Sequence, residues 1–224
     1  YYCDAYTTDS GVTFPMNGYK LTSVIDASQG GTTNVNVYIP KDGTIGTKDS
    51  NGFLIKSQSQ VIAIGDNAFA NTENVDYLNL PGEIRYIGDS AFEESFIKSV
   101  SFKNVGNIGN QAFKNCSQLS TVSLGDGISI IGAEAFFGSG ITAITFPYSV
   151  SRIGTGAFAE CSRMKTADLN AITQAGCTLG DYAFYNCYAL DSLNFGDATI
   201  TAVGVACFAV ETGVTGNLTA FNYP

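Results

Sequence analysis

The chain has 224 residues, 45% of them apolar but only 14% charged, and it carries a net charge of −9. That apolar content excludes a disordered chain, and an acidic sequence without a basic run is a poor partner for nucleic acid or anionic membrane, where Lys and Arg supply the affinity. There is no histidine, which removes Ser-His-Asp and Cys-His catalysis, imidazole metal ligation and the imidazole proton shuttle.

No apolar stretch reaches the roughly 18 residues of a membrane-spanning helix. No signal peptide is visible, and the start at Tyr1-Tyr2-Cys3 reads as that of a mature or trimmed chain. Residues 1–19 show little periodicity and are expected to be irregular. Lys20 to Asp26 and Asn34 to Ile39 read as two strands around a Gly-Gly turn, and together they predict a β-hairpin over about 20–39. Such a hairpin would cover the open end of whatever follows. Residues 41–60 are polar and Gly-rich and read as an inserted surface loop, so residues 1–60 are expected to form an N-terminal cap.

From residue 61 onward the chain repeats. Seven copies of one signature occur: an apolar residue, Gly, two variable positions, Ala, Phe. The first is Ile64-Gly65-Asp66-Asn67-Ala68-Phe69, and the last, Val203 to Phe208, has Cys207 in place of Ala. The signature glycines lie 23, 21, 23, 22, 26 and 24 residues apart. A period in that range marks a solenoid, whose units contact only their neighbours.

Each repeat has three parts. The first is a strand with apolar residues at positions 1, 4 and 6, as in Leu119/Val122/Leu124 and Ile141/Ile144/Phe146. Positions 4 and 6 share one face by the two-residue strand period, so successive strands should align as one parallel sheet. Asn34/Val37/Ile39 fits as a degenerate first copy, and Leu218/Phe221/Tyr223 is the last strand. The second part is an apolar pair three residues apart, as in Ile128/Ile131, expected to run back on the opposite side. The third is the Ala-Phe turn. Asp66, Asp89, Asn110, Thr155 and Asp181 follow the Gly and read as N-caps of short helical turns. Thr72, Ser95, Cys116, Ser139, Cys161 and Cys187 lie three residues beyond each Phe, where only small side chains occur.

These motifs resemble the BspA-like leucine-rich repeat family, also called the Treponema-type repeat. Leu119 to Leu124 carries its strand motif, Ile128 to Phe136 its return and turn, and Ala112-Phe113-Lys114-Asn115-Cys116 its Ala-Phe-x-x-Cys motif. The resemblance covers about residues 61–210, departing from the pattern at Cys207 and in the longer 170–178 segment. It implies an α/β repeat solenoid dominated by β-structure: a right-handed leucine-rich repeat coil of about seven repeats over 61–224, with a parallel concave sheet and short helical turns. It also implies a secreted or cell-surface protein of bacteria or some protists, involved in adhesion or host-protein binding.

Strand positions 3 and 5 point away from the core. They are Tyr77/Asn79, Ser99/Ser101, Thr121/Ser123, Ala143/Thr145, Thr166/Asp168 and Ser192/Asn194. Stacked at about 4.8 Å per strand they make a polar strip of roughly 30–35 Å, the expected partner-binding face. Tyr182, Tyr185 and Tyr188, with Phe137 and Tyr148 elsewhere, are a second candidate, since exposed aromatics anchor partners or stack on sugars. Of the six cysteines, three sit at the small inward position and behave there as small hydrophobes. Free thiols are therefore expected, and no Cys-x-x-Cys spacing points to zinc. Ser162-Arg163-Met164-Lys165 matches S-x-x-K without any partner motif, and Glu93-Glu94 reads as a solvated turn.

The expectation is therefore a monomeric, non-catalytic protein without cofactor or metal, displayed outside the cell or on its surface. Its partner would be a protein or glycan, host extracellular matrix included. The alternative is a structural spacer or stalk that presents a further domain.

Overall fold

The computed structural model describes residues 61–73, 75–80, 84–173 and 176–211, together with the strands within 2–7, 13–21, 35–38, 47–48, 54–55 and 220–222. For those strands and for 61–62 and 75–79 the description is of the backbone alone.

Every repeat places one short strand in each of two parallel sheets. Among the described residues, the eight-stranded sheet takes Val35–Tyr38, Val75–Asn79, Ser99–Ser101, Thr121–Ser123, Ala143–Thr145, Thr166–Asp168, Ser192–Asn194 and Ala220–Asn222, in chain order. The nine-stranded sheet takes Tyr2–Thr7, Thr13–Leu21, Val61–Ile64, Tyr86–Ile87, Asn107–Ile108, Ile130–Ile131, Arg152–Ile153, Cys177–Leu179 and Ile200–Val203. From Val61 onward, neighbours in a sheet are thus one repeat apart in sequence. The alternation along each strand decides which side faces in. Val122 and Ile144 are buried while Thr121, Ser123 and Thr145 are exposed, as a half-buried strand requires.

The core between the sheets is built in columns. Ile87, Ile108, Ile131, Ile153 and Leu179 are buried on the return side, but their counterpart Val203 is 56% exposed. Phe69, Phe92, Phe113, Phe136, Phe158, Phe184 and Phe208 form one stack. Successive ring centroids lie 4.8, 4.9, 5.1, 5.2, 5.3 and 5.3 Å apart and the rings are nearly parallel. Repeats approach so closely at the signature glycines that a Cβ on Gly132 would lie 2.6 Å from the Gly109 carbonyl carbon.

The Ala-Phe turns are not helical. No α-helix occurs among the described residues, and the reason is visible in the backbone. In the first six signatures the residue before Ala and the second residue after Phe sit in the left-handed region, as at Asn67 (φ 55°) and Asn71 (φ 56°), or Gln111 (φ 57°) and Asn115 (φ 58°). A left-handed residue every fourth position breaks a right-handed run. The N–H groups that a helix would send four residues back go instead to the next repeat. Phe69 donates to the Ala91 carbonyl at 2.7 Å, Phe92 to Ala112 at 2.7 Å and Phe113 to Ala135 at 2.7 Å. The Asp/Asn residues expected to cap helices serve the same ladder. Asp66 Oδ1 accepts the Asp89 N–H at 2.8 Å, and Asp181 Oδ1 accepts the Val205 N–H at 2.7 Å.

The N-terminal strands also differ from expectation. The antiparallel pair is Tyr2–Thr7 with Thr13–Leu21, in the segment read as irregular. Thr13–Leu21 takes in only the first two residues of the expected hairpin strand 20–26, and Val35–Tyr38 lies within the other, 34–39; the two belong to different sheets, and residues 22–34 lie outside the described residues. The first runs parallel to Val61–Ile64 and the second parallel to Val75–Asn79. A strand whose apolar pattern matches the repeat gains more by extending a sheet as a further rung than by folding back on its neighbour. Within 41–60, Thr47–Lys48 and Leu54–Ile55 pair antiparallel as a separate small sheet; the rest of that loop lies outside the described residues.

Candidate functional site

The outward positions of the eight-stranded sheet fall into two straight columns because the strands pair without a register shift from Tyr77 onward. One column aligns Tyr77 with Ser99, Thr121, Ala143, Thr166 and Ser192. The other aligns Asn79 with Ser101 and Ser123, then Thr145 with Asp168 and Asn194. Ser101, Thr121, Ser123, Thr145 and Thr166 are exposed, while Ser99, Asp168, Ser192 and Asn194 are half-buried. Tyr77 and Asn79 take their places in the ladder, with side chains outside the description. Asp168 is the fixed point of the strip, its Oδ1 accepting from Asn194 Nδ2 and from the Asn170 N–H, each at 3.0 Å. The other described side chains of the strip are short hydroxyls, with the Ala143 methyl and the Asn194 amide among them.

Two hollows of the described surface lie along the turns. A shallow depression of about 390 Å³ is lined by Asn67, Asp89, Ser90, Asn110, Gln111, Ala133 and Glu134. A second, of about 360 Å³, is lined by Asn71, Glu73, Glu94, Phe96 and Asn115. Both follow the left-handed positions, whose side chains stand out from the coil. Glu134 is the organised group here. Its Oε2 lies 2.6 Å from Lys114 Nζ and 3.1 Å from Gln111 Nε2. The hydrogen bond from Lys114 holds the Glu134 carboxyl below its ordinary range, against an opposing push from burial. Lys114 also rests 5.4 Å from the centre of the Phe137 ring, so Phe137 is half-covered rather than free. Sequence reading missed this side because its polar residues occupy the variable positions of the signature, where their type changes from repeat to repeat.

The profile of the BspA type leucine-rich repeat region matches residues 51–165 and 141–218, with six copies. The chain belongs to the BspA-type leucine-rich repeat family. Among solved structures it is similar to the leucine-rich repeat protein of T. pallidum, at 23% identity over 69% of this chain and 74% of that one, with a TM-score of 0.59. It is likewise similar to a leucine-rich repeat protein from Bacteroides ovatus, at 22% identity and a TM-score of 0.58, covering 96% of this chain and 54% of that one. At these identities the likeness is one of fold. No curated protein matches the sequence.

In a BspA-type coil the cysteines find a structural explanation. Cys116, Cys161, Cys177, Cys187 and Cys207 are buried free thiols; Cys3 lies outside the described residues. The thiol of Cys116 donates to the Phe92 carbonyl at 2.9 Å, that of Cys161 to Phe136 at 3.1 Å and that of Cys187 to Phe158 at 3.2 Å. Each of these three cysteines beyond the Ala-Phe pair thus ties down a carbonyl of the preceding repeat. Burial pushes the thiol pKa up to about 11 at Cys116 and about 12 at Cys161, the opposite of what a nucleophile or metal ligand needs. Among the described residues, no three His, Cys, Asp or Glu side chains gather as metal ligands. Ser162 and Lys165 of the S-x-x-K match are both exposed. BspA-type and other leucine-rich repeats are generally protein-binding rather than catalytic.

Proposed function

We propose that this BspA-type protein is a non-catalytic binding module, exported and displayed at or outside the cell surface. It would recognise a protein or glycan ligand, such as host extracellular matrix, through the strip on the eight-stranded sheet. The observation that supports the reading most is the registered pair of polar columns. Ser101, Thr121, Ser123, Thr145 and Thr166 form a continuous exposed surface on a rigid sheet while every second residue between them is buried. Rigid scaffolds bind at lower entropic cost than loops that must order.

A second reading, a spacer that presents another domain, draws on the same surface. Tyr77 apart, the strip lacks the Trp, Tyr and Arg residues that dominate interface energetics. Immobilised fibronectin, laminin, collagen and a glycan array distinguish the two. A binder retains one of these ligands, and the Thr121→Phe/Ser123→Phe variant loses it with unchanged thermal unfolding. Retention undiminished in that variant would move the site off the sheet, and no retention by the parent chain would favour the spacer.

A further inference from the structure

The sixth repeat places tyrosine at three positions where the coil requires none. Tyr182 occupies a left-handed backbone position, φ 58°, where a large side chain is unfavourable and Asn or Gly would serve better. Its counterparts in the neighbouring repeats are Gly156 and Ala206, and those of Tyr185 are Ala159 and Ala209. Small residues on both sides leave the Tyr182 ring exposed and the Tyr185 ring half-buried. They contact each other edge-to-face at 5.5 Å, and Tyr182 remains 45% exposed.

The Glu160 N–H donates to the Tyr185 carbonyl at 2.8 Å, which brings an acidic residue beside this aromatic pair. Asn186, 1% exposed, donates from Nδ2 to Glu160 Oε1 at 2.7 Å and accepts the Glu211 N–H on Oδ1 at 2.8 Å. One buried amide therefore holds the carboxylate of Glu160 and the backbone of Glu211. Tyr188 lies among them. Desolvation raises its hydroxyl pKa first, and the charges of Glu160 and Glu211 raise it further. No Lys or Arg of the described residues pairs with Glu160 or Glu211. Aromatic faces edged with uncompensated negative charge attract cations both through the ring quadrupole and through the field of the carboxylates.

We infer that Tyr182, Tyr185 and Tyr188, with Glu160 and Glu211, form a docking surface on the turn side of the coil for a protein segment carrying Lys or Arg. This surface is separate from the sheet strip and does not depend on it. The net charge of −9 adds long-range steering of such a segment toward the molecule, and the tyrosines supply the contact that distinguishes this place from the rest of an acidic surface.

The test uses the full chain and a fluorescent (Gly-Arg)6 peptide, followed by anisotropy at two salt concentrations. The variant Tyr182→Asn/Tyr185→Ala keeps the net charge, and Asn suits the left-handed position, so thermal unfolding should be unchanged. It should bind the peptide about tenfold more weakly, the effect of losing two cation–π partners. Glu160→Gln/Glu211→Gln should weaken binding and flatten its salt dependence. Thr121→Phe/Ser123→Phe should leave peptide binding as it was, which separates this surface from the strip. Equal binding by the tyrosine variant and the parent would overturn the proposal. So would failure of the parent to bind the peptide, or tyrosine-dependent retention of neutral oligosaccharides instead of the peptide.

Discussion

The Asp89 carboxylate accepts the backbone N–H of Asn110 at 2.8 Å, from one repeat to the next. The Asn110 side chain repeats the arrangement one turn later, taking the Ala133 N–H on Oδ1 at 2.8 Å. A residue type that starts helices elsewhere here joins turns. Asp89 is 7% exposed, so its removal leaves a half-buried donor without that acceptor. Asp89→Ala should cost about 1–3 kcal/mol in urea unfolding. Asp89→Asn should be close to neutral, because Asn110 already performs the task with an amide. Equal losses for Ala and Asn would show that the charge, not the acceptor oxygen, is what matters.

The ladder lapses at Ala133, which has no side-chain acceptor to offer the Thr155 N–H one repeat on. Asn110 shows that an amide fits this place in the coil. Ala133→Asn should therefore supply the missing acceptor and raise stability by about 0.5–1.5 kcal/mol. The expected result is a higher urea midpoint with an unchanged m-value. An unchanged or lower midpoint would mean that water already satisfies the Thr155 donor fully.

Phe113 stacks on Phe92 at 4.9 Å and on Phe136 at 5.1 Å, and meets Phe102 edge-on at 5.8 Å. It lies in the middle of the column, so truncation opens a cavity walled by rigid rings that cannot collapse. Phe113→Ala should cost about 3–5 kcal/mol, while Phe208→Ala, at the half-buried end of the stack, should cost less. Calorimetry or urea unfolding of both variants checks the ranking, and equal losses would contradict a stack whose strength depends on having neighbours on both faces.

The parts of this fold legible in the sequence are those where one physical demand recurs at every turn. The Phe column, the glycines at the closest approach and the buried small position each show one constraint repeated, and repetition makes a constraint readable. The turn conformation was hidden for a specific reason. Ala, Phe and Cys116 at i, i+1 and i+4 satisfy a helical face and a pair of tight turns equally well. What separates the two is a left-handed residue at Gln111 and Asn115, whose counterparts in other repeats are as varied as Ser90, Glu134 and Tyr182. Most of the expected hairpin, residues 22–34, lies outside the described residues, while Thr13–Leu21 before it pairs with Val61–Ile64, far along the chain. The outward positions of the strip could be read from strand period alone. The setting of Tyr182 and Tyr185 could not, because it depends on the small residues of the repeats on either side.

The buried thiols make stability depend on pH in the alkaline range. An ordinary thiol here titrates at 9.0, and burial raises Cys161 to about 12. Below pH 9 the group is protonated in the folded and unfolded chains alike, so its full contribution is present. Above that, the unfolded chain ionises while the folded chain holds its proton, and stability falls until the pH reaches about 12. The slope from one such group is at most about 1.4 kcal/mol per pH unit. Cys116, Cys177 and Cys207, each raised to about 11, act in the same direction. Urea unfolding under reducing conditions between pH 8 and 11 should therefore show a steady decline. Tyrosines and lysines titrate in the same range, so the comparison that isolates the thiol is the Cys161→Ala variant. It should start less stable, through the lost packing, yet decline more gently with pH. Parallel slopes for the variant and the parent would show that Cys161 ionises as readily in the folded chain as in the unfolded one, which its burial forbids.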